Sequence, residues 1–356
     1  MKRIQIVQIG LGSVGRELAR QILAQHDAIV RRYGFSIDYL AIADSTAMFF
    51  SGAPLPRETV LEILEAKAAG RTLADQGAPR RGSLGVLPIT APGIAVDVSA
   101  YAGTTVILAD AVRFGHRVVT ANKQPLCAAY HDFVTLTENG ATRYEATVGA
   151  GLPIIGALQS LLDSGDEVLR IEAVMSGTLG YLCTELEAGK PLSVALREAH
   201  SLGYTEPDPR DDLSGLDVAR KALILGRTCG QPWTIQQIPP EPWYPPEFAR
   251  LDLEEFMARL EELDAPMAER VAAARAAGGA LRYVASITPE GASVGFQIVP
   301  ADHPLAGLRG PDNLFTFTTA RYAERPLIIR GPGAGIAVTA AAVLADIVAT
   351  GREMHA

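Results

Sequence analysis

The sequence predicts an α/β protein in which a parallel-sheet domain is interrupted by a second, α+β domain. Three observations carry that reading. Over the first third of the chain, short apolar runs alternate with segments whose apolar residues recur at helical spacing. From about residue 142 the alternation breaks, and β-like runs later follow one another at 280–288, 293–299 and 314–320. The tail, GPGAGIAVTAAAVLAD, reads as a glycine loop feeding a final helix that returns to the first domain.

Residues 4–9 form an apolar run ending in glycine, and Val14, Leu18 and Ile22 then mark one helix face. A second run covers 37–43, and helical spacing returns over 58–69. Strand-like runs at 95–98 and 117–120 flank a helix over 104–115. Such βαβ succession implies parallel strands with right-handed crossovers. The segment 75–88, rich in Gly, Pro and Arg, reads as an exposed loop. Beyond it, a strand at 143–147 leads to a helix opened by Pro153, a strand at 168–174 leads to another, and 216–226 is strongly helical. The proline-rich stretch 231–246, with Trp233 and Trp243, must be irregular; two helices follow it. The expected domains are therefore 1–145, completed by 325–356, and an inserted 146–324.

Composition narrows the function. With 356 residues and 48% hydrophobic content the chain is long and apolar enough to fold around real cores. A net charge of −8 argues against general binding of nucleic acid or anionic membranes. Cys127, Cys183 and Cys229 are widely spread, with no CxxC pair, which reads as reduced thiols and not as a disulfide scaffold or zinc site. The six histidines share no ligand motif. No signal-peptide or lipidation pattern is present, and the apolar stretch 335–349 contains Asp346 and falls short of the ~20 residues a span needs. The expectation is a soluble, cytoplasmic protein.

Gly10-Leu-Gly12-Ser13-Val14-Gly15 matches GxGxxG and sits between a predicted strand and a predicted helix. There Gly10 makes the tight turn, Gly12 lets the backbone approach a pyrophosphate, and Gly15 lets helix and strand pack; the helix N-terminus attracts the anion. This predicts a Rossmann-like domain. Asp44, at the end of the second strand, suits a ribose 2′-hydroxyl, although it lies further on than the usual ~20 residues and Asp-Ser-Thr also reads as a helix cap. No arginine follows Asp44 directly, which leans toward NAD, with Arg57, Arg80 and Arg81 as cations that would favour NADP.

The segment 203–221 is dense in charge. Asp212 or Ser214 can cap the following helix, on which Asp217 and Lys221 share one face at i and i+4. The pair reads either as a surface salt bridge or, because the helix is otherwise apolar, as charges facing a cleft. A lysine there can exchange a proton with an oxygen undergoing hydride transfer, and carboxylates can hold a substrate ammonium.

Taken in order, GLGSVG, TANK (120–123), YEATVGAGLPII (144–155), SGTLGYL (176–182), GYTEPDPRDDLSGLDVARKALIL (203–225) and GPGAGIAVTA (331–340) closely resemble homoserine dehydrogenases over nearly the whole chain. The resemblance implies reversible NAD(P)H-dependent reduction of L-aspartate 4-semialdehyde to L-homoserine, on the route to threonine and methionine. It implies Lys221 as catalytic acid/base, Lys123 as a second lysine beside the nicotinamide, and Glu206 and Asp217 as substrate carboxylates. The implied cofactor set is Gly10, Gly12, Ser13, Val14, Gly15, Asp44, Ser99, Lys123 and Gly333. Glu145, Val148, Ala150 and Leu152 match a loop that holds a monovalent cation, usually sodium, largely through main-chain carbonyls. The inserted domain is expected to carry substrate and dimer contacts, so a homodimer is implied. Neither a threonine-sensing C-terminal domain nor a preceding kinase domain is expected. The rival readings are another two-domain amino-acid dehydrogenase and a non-catalytic nicotinamide sensor.

Overall fold

A computed structural model describes residues 2–78, 87, 89 and 92–355. The chain divides into two compact units, Met1–Gly151 with Ala334–Ala356, and Leu152–Gly333. Most of the loop expected at 75–88, including Arg80 and Arg81, lies outside the described residues.

The first unit contains β1 (Lys2–Ile9), α1 (Ser13–Tyr33), β2 (Phe35–Ala43), β3 (Met48–Phe50), α2 (Arg57–Ala68), β4 (Ile94–Asp97), α3 (Thr104–Arg113), β5 (Arg117–Thr120), α4 (Lys123–Cys127), α5 (Tyr130–Thr137) and β6 (Thr142–Arg143). Its sheet runs β3-β2-β1-β4-β5-β6. Only β3 is antiparallel, folding back on β2 as a short edge strand. The order reverses on either side of β1, which is paired in parallel to both β2 and β4. That switch point opens a crevice at the carboxyl ends of β1 and β4. Ile4, Ile6, Ile42, Val96 and Val119 from the strands meet Leu18 and Ile22 of α1 in one core.

Of the strand expected at 143–147, only Arg143 lies in one, at the end of β6. The Thr147 N–H and hydroxyl both donate to the Tyr144 carbonyl, at 3.1 and 2.6 Å, and wind Glu145–Thr147 into a 3₁₀ turn. The final helix, which becomes α13 below, adds Ala340, Val343 and Ile347 to this same core.

The second unit contains α6 (Ile154–Asp163), β7 (Val168–Val174), α7 (Gly177–Glu187), α8 (Leu192–Ser201), α9 (Pro209–Leu213), α10 (Leu216–Thr228), α11 (Leu253–Ala258), α12 (Asp264–Ala276), β8 (Gly279–Thr288), β9 (Gly291–Pro300), β10 (Asp312–Thr319) and β11 (Leu327–Pro332); α13 (Ile336–Glu353) then belongs to the first unit. Its sheet, β11-β10-β7-β8-β9, is antiparallel throughout. The expectation that the first domain resumes at 325 is corrected here. β11 pairs with β10 from Asp312↔Pro332 to Phe317↔Leu327, so the chain leaves the second unit only after Gly333.

Arg282 of β8 is 1% exposed, and its guanidinium donates to the carbonyls of Leu281, Leu305 and Leu308 and to the Glu187 carboxylate. A buried cation tolerates such a place only when its donors are met in this way. Trp243 packs with Tyr283 and Phe296, so the proline-rich segment is irregular but anchored. Among the described residues, no helix is long and apolar enough to cross a membrane.

Gly215 precedes α10 with φ +71°, and a Cβ there would lie 2.0 Å from the Tyr283 hydroxyl, which donates to the Glu241 carbonyl. Gly215→Ala should therefore cost roughly 1–3 kcal/mol, from left-handed backbone strain and overpacking. Thermal denaturation reads this as a fall in Tm; an unchanged Tm would mean that the Tyr283 contact yields freely.

Candidate active site

In the first unit, β1 delivers the chain to Gly10, whose φ is +104°. A Cβ on Gly10 would lie 2.7 Å from the Ser99 nitrogen, and one on Gly15 would lie 2.3 Å from the Gly10 carbonyl oxygen. A Cβ on Gly12 would meet nothing within 4 Å. The loop is thus crowded on its inner side and open at Gly12. Gly12 is also the N-cap of the 21-residue α1 and supplies no capping side chain, so Ser13 and Val14 begin the helix with N–H groups available to an anion. These features fit a dinucleotide pyrophosphate. Gln8, fully buried, supports the loop from beneath. It donates to the Gly10 and Gly15 carbonyls at 2.9 and 3.0 Å and accepts from the Tyr39 hydroxyl at 2.8 Å. A glutamine next to the glycine turn, at the end of an apolar strand, was the sequence signal of that role.

Asp44 stands at the end of β2, but its carboxylate is turned inward. One oxygen accepts from the Thr46 N–H and hydroxyl and the Ala47 N–H, and the other from the Lys67 ammonium at 2.8 Å and the Leu73 N–H at 3.0 Å. Burial opposes its charge, yet the bonds from Lys67, Thr46 and Leu73 outweigh that and hold the carboxyl well below its usual range. The cap reading also fails, because the chain turns back into β3 and not into a helix. Arg57 is occupied elsewhere, donating to the Leu23 carbonyl.

Ser99 follows β4, and its N–H and hydroxyl bond the Asp97 carboxylate at 2.9 and 2.7 Å. Lys123 opens α4, whose N-cap is Asn122. Glu145 donates its N–H to Asp346 of α13 at 3.0 Å. Burial, with the Glu145 charge adding to it, pushes the Asp346 carboxyl up to about 7. Ala150 has φ +54°, a left-handed conformation unusual for a residue with a side chain.

In the second unit, Lys221 is 9% exposed on a helix whose neighbours Val218, Ala219, Ala222 and Leu225 are buried. Its ammonium lies 2.9 Å from the Asp217 carboxylate and donates to the Met175 carbonyl at 2.8 Å. Lys221 is the buried member of the pair, while the Asp217 side chain is 44% exposed. The N-cap position is Gly215, and the Ser214 hydroxyl accepts the first helical N–H, that of Leu216, at 3.2 Å. Asp212 does something else. Its carboxylate accepts from the Glu206 N–H at 2.7 Å and the Thr178 hydroxyl at 3.0 Å, and so ties the exposed Glu206 loop to the start of α7. Burial raises the Asp212 carboxyl above its ordinary value. Thr178 and Asp212 join this cluster although only their place in conspicuous motifs hinted at it.

Gly333 packs directly on Asn313 of β10; a Cβ at Gly333 would fall 1.9 Å from the amide carbon. Asn313 is fully buried, and among the described residues neither its amide nitrogen nor its amide oxygen has a hydrogen-bond partner. The glycine motif pointed to Gly333 but not to the amide beneath it.

A family profile for homoserine dehydrogenase matches residues 153–348. A homoserine dehydrogenase of Paracoccidioides brasiliensis is 35% identical over 99% of both chains. The chain belongs to the homoserine dehydrogenase family. A bifunctional aspartokinase/homoserine dehydrogenase of Zea mays is 37% identical over 95% of this chain, which spans only 37% of that longer protein. Among solved structures, a hyperthermophilic archaeal homoserine dehydrogenase in complex with NADPH is 28% identical, with a TM-score of 0.74 over 99% of this chain and 98% of that one.

Two stability measurements follow from these side chains. Asp44→Asn should destabilise the protein at pH 7 by on the order of 1–3 kcal/mol. The folded-state pKa of Asp44 is depressed, so its contribution is present above the unfolded carboxylate range and is lost as pH falls toward the folded value. The Tm gap between wild type and variant should narrow from pH 7 toward pH 3, and a gap that ignores pH would contradict the charge-based account. Asn313→Leu should instead raise the Tm of the ligand-free protein, by about 1–3 kcal/mol of relieved desolvation. A lower Tm would show that the amide is satisfied in solution.

Proposed function

We propose that the chain catalyses the reversible reduction of L-aspartate 4-semialdehyde to L-homoserine with NAD(P)H, as a biosynthetic step toward threonine and methionine. The observation that carries this reading is the buried Lys221, held between Asp217 and the Met175 carbonyl within a motif specific to the family. When bound, the nicotinamide supplies or accepts the hydride. The protein's task is then to bind, orient and move a proton. Gly10, Gly12, Ser13, Val14 and Gly15 hold the pyrophosphate, with Ser99 and Gly333 as further cofactor contacts. Lys221 exchanges a proton at Nζ with the reacting oxygen, and its charge opposes the negative charge that develops there. Lys123 assists at the nicotinamide end. Glu206 and Asp217 receive the substrate ammonium, and Asp212 holds the Glu206 backbone in place.

The NAD preference first expected from Asp44 requires a carboxylate free to meet ribose hydroxyls. Here five donors fill it and Lys67 balances its charge. We therefore read the chain as accepting both NAD and NADP. Main-chain carbonyls at Glu145, Val148, Ala150 and Leu152 are the proposed ligands of a monovalent cation such as sodium. A homodimer is proposed on the family resemblance, with exposed strand residues Leu169, Ile298 and Ile328 of the second unit in support. Three cysteine thiols accord with a cytoplasmic setting.

The deciding assay follows nicotinamide absorbance with purified protein and L-homoserine, in parallel with NAD and NADP. Homoserine-dependent reduction is expected with both. Lys221→Ala should lower kcat by roughly 10²–10⁴, the range of general acid–base catalysis, with cofactor affinity largely intact. Near-normal turnover in that variant would remove Lys221 from its role. A wild-type protein that binds the cofactor but turns over no homoserine would favour a nicotinamide sensor.

A further inference from the structure

Asp97 is fully buried at the carboxyl end of β4, and Asn122 is 3% exposed at the end of β5. They join three loops of the first unit. One Asp97 oxygen accepts both the N–H and the hydroxyl of Ser99, at 2.9 and 2.7 Å. The other accepts from the Asn122 amide at 3.0 Å. That amide nitrogen also bonds the Tyr101 carbonyl and the Thr104 hydroxyl, at 3.0 and 3.1 Å. The Asn122 amide oxygen accepts from the Gln124 N–H at 3.0 Å and so caps α4, at whose first residue Lys123 stands. The backbone of Ser99 in turn abuts Gly10, leaving no room for a Cβ there.

We propose that Asp97 and Asn122 act as one buried positioning pair, setting the Ser99 loop against the pyrophosphate turn and aiming Lys123 from α4. The inference rests on the reaction proposed above for the Lys123 part alone; the Ser99 part concerns cofactor binding and stands apart from turnover. A flexible lysine at the start of a five-residue helix has many orientations in water. A buried carboxylate accepting from both loops removes that freedom, and charge-assisted bonds in a dry site are strong enough to do so. Asp97 suits the position because each of its oxygens accepts. An amide there accepts on one atom only, so Asp97→Asn must lose either the Ser99 or the Asn122 connection.

Three variants test the pair. Asp97→Asn should weaken NADPH, measured by nicotinamide fluorescence, about tenfold, the worth of one charge-assisted bond. Asn122→Ser keeps a hydroxyl able to cap α4 but loses the reach to Asp97. It should lower kcat about tenfold while the Kd of NADPH changes less than about twofold. In a Lys123→Ala background the Asn122→Ser effect on kcat should vanish, because a positioning residue has nothing left to position. The same loss with and without Lys123, or wild-type kcat in Asn122→Ser, overturns the Lys123 part. An unchanged Kd in Asp97→Asn overturns the Ser99 part. Should Asp97→Asn fail to fold, Ser99→Ala replaces it in the binding measurement with the same expected loss. Where the wild type shows no homoserine turnover, the proposed function falls, and the NADPH affinities alone decide the pair.

Discussion

A lysine ammonium taken out of water has to be met by oxygen, and much of the second unit is arranged around that demand. Lys221 rises from an apolar helix and finds the Asp217 carboxylate one turn back and the Met175 carbonyl just beyond β7. The second contact ties α10 to the end of a strand at the middle of the antiparallel sheet. It therefore depends on the sheet register, on the left-handed turn at Gly215 and on Tyr283, which leaves that turn room only for glycine. Removing the half-exposed Asp217 would cost more than the bridge itself contributes, because the buried ammonium stays behind.

The first unit meets a parallel demand with different parts. Its strands are buried on both faces, so a polar group there is best tolerated where its polar atoms find partners. Gln8, Asp44, Asp97 and Asn122 all obey this rule, and all sit at or near the carboxyl ends of strands β1, β2, β4 and β5, where the sheet's switch point opens. Each holds loop backbone in place. Asp44 is the fullest case: five internal donors meet its carboxylate. Asn313, in the second unit, differs: among the described residues both of its amide atoms are buried without a partner, beneath Gly333.

Much of the architecture was legible in the sequence because its signals are local. β5 runs over the same residues as its apolar run, and β7 likewise. The glycine fingerprint lies between strand and helix as its spacing requires. Errors arose where long-range pairing decided the outcome. Residues 327–332 form a strand only because β10 lies alongside. The turn at 145–147 is a local exception, made because two donors of Thr147 reach back three residues to one carbonyl.

By itself, the sequence determined the α/β class and the family, and it supplied the residues proposed for the chemistry: the glycines, Lys123, Lys221, Glu206 and Asp217. Periodicity and motif spacing are properties of neighbouring residues, and a single chain displays them directly. Tertiary structure alone decided which polar groups are already spoken for. The inward turn of Asp44 toward Lys67, the junction of Asp97 with Asn122, and the link of Asp212 to Thr178 each join residues separated by 23 to 34 positions. A hydrogen bond is a matter of distance and angle, and across such separations both are set by the packing of whole elements.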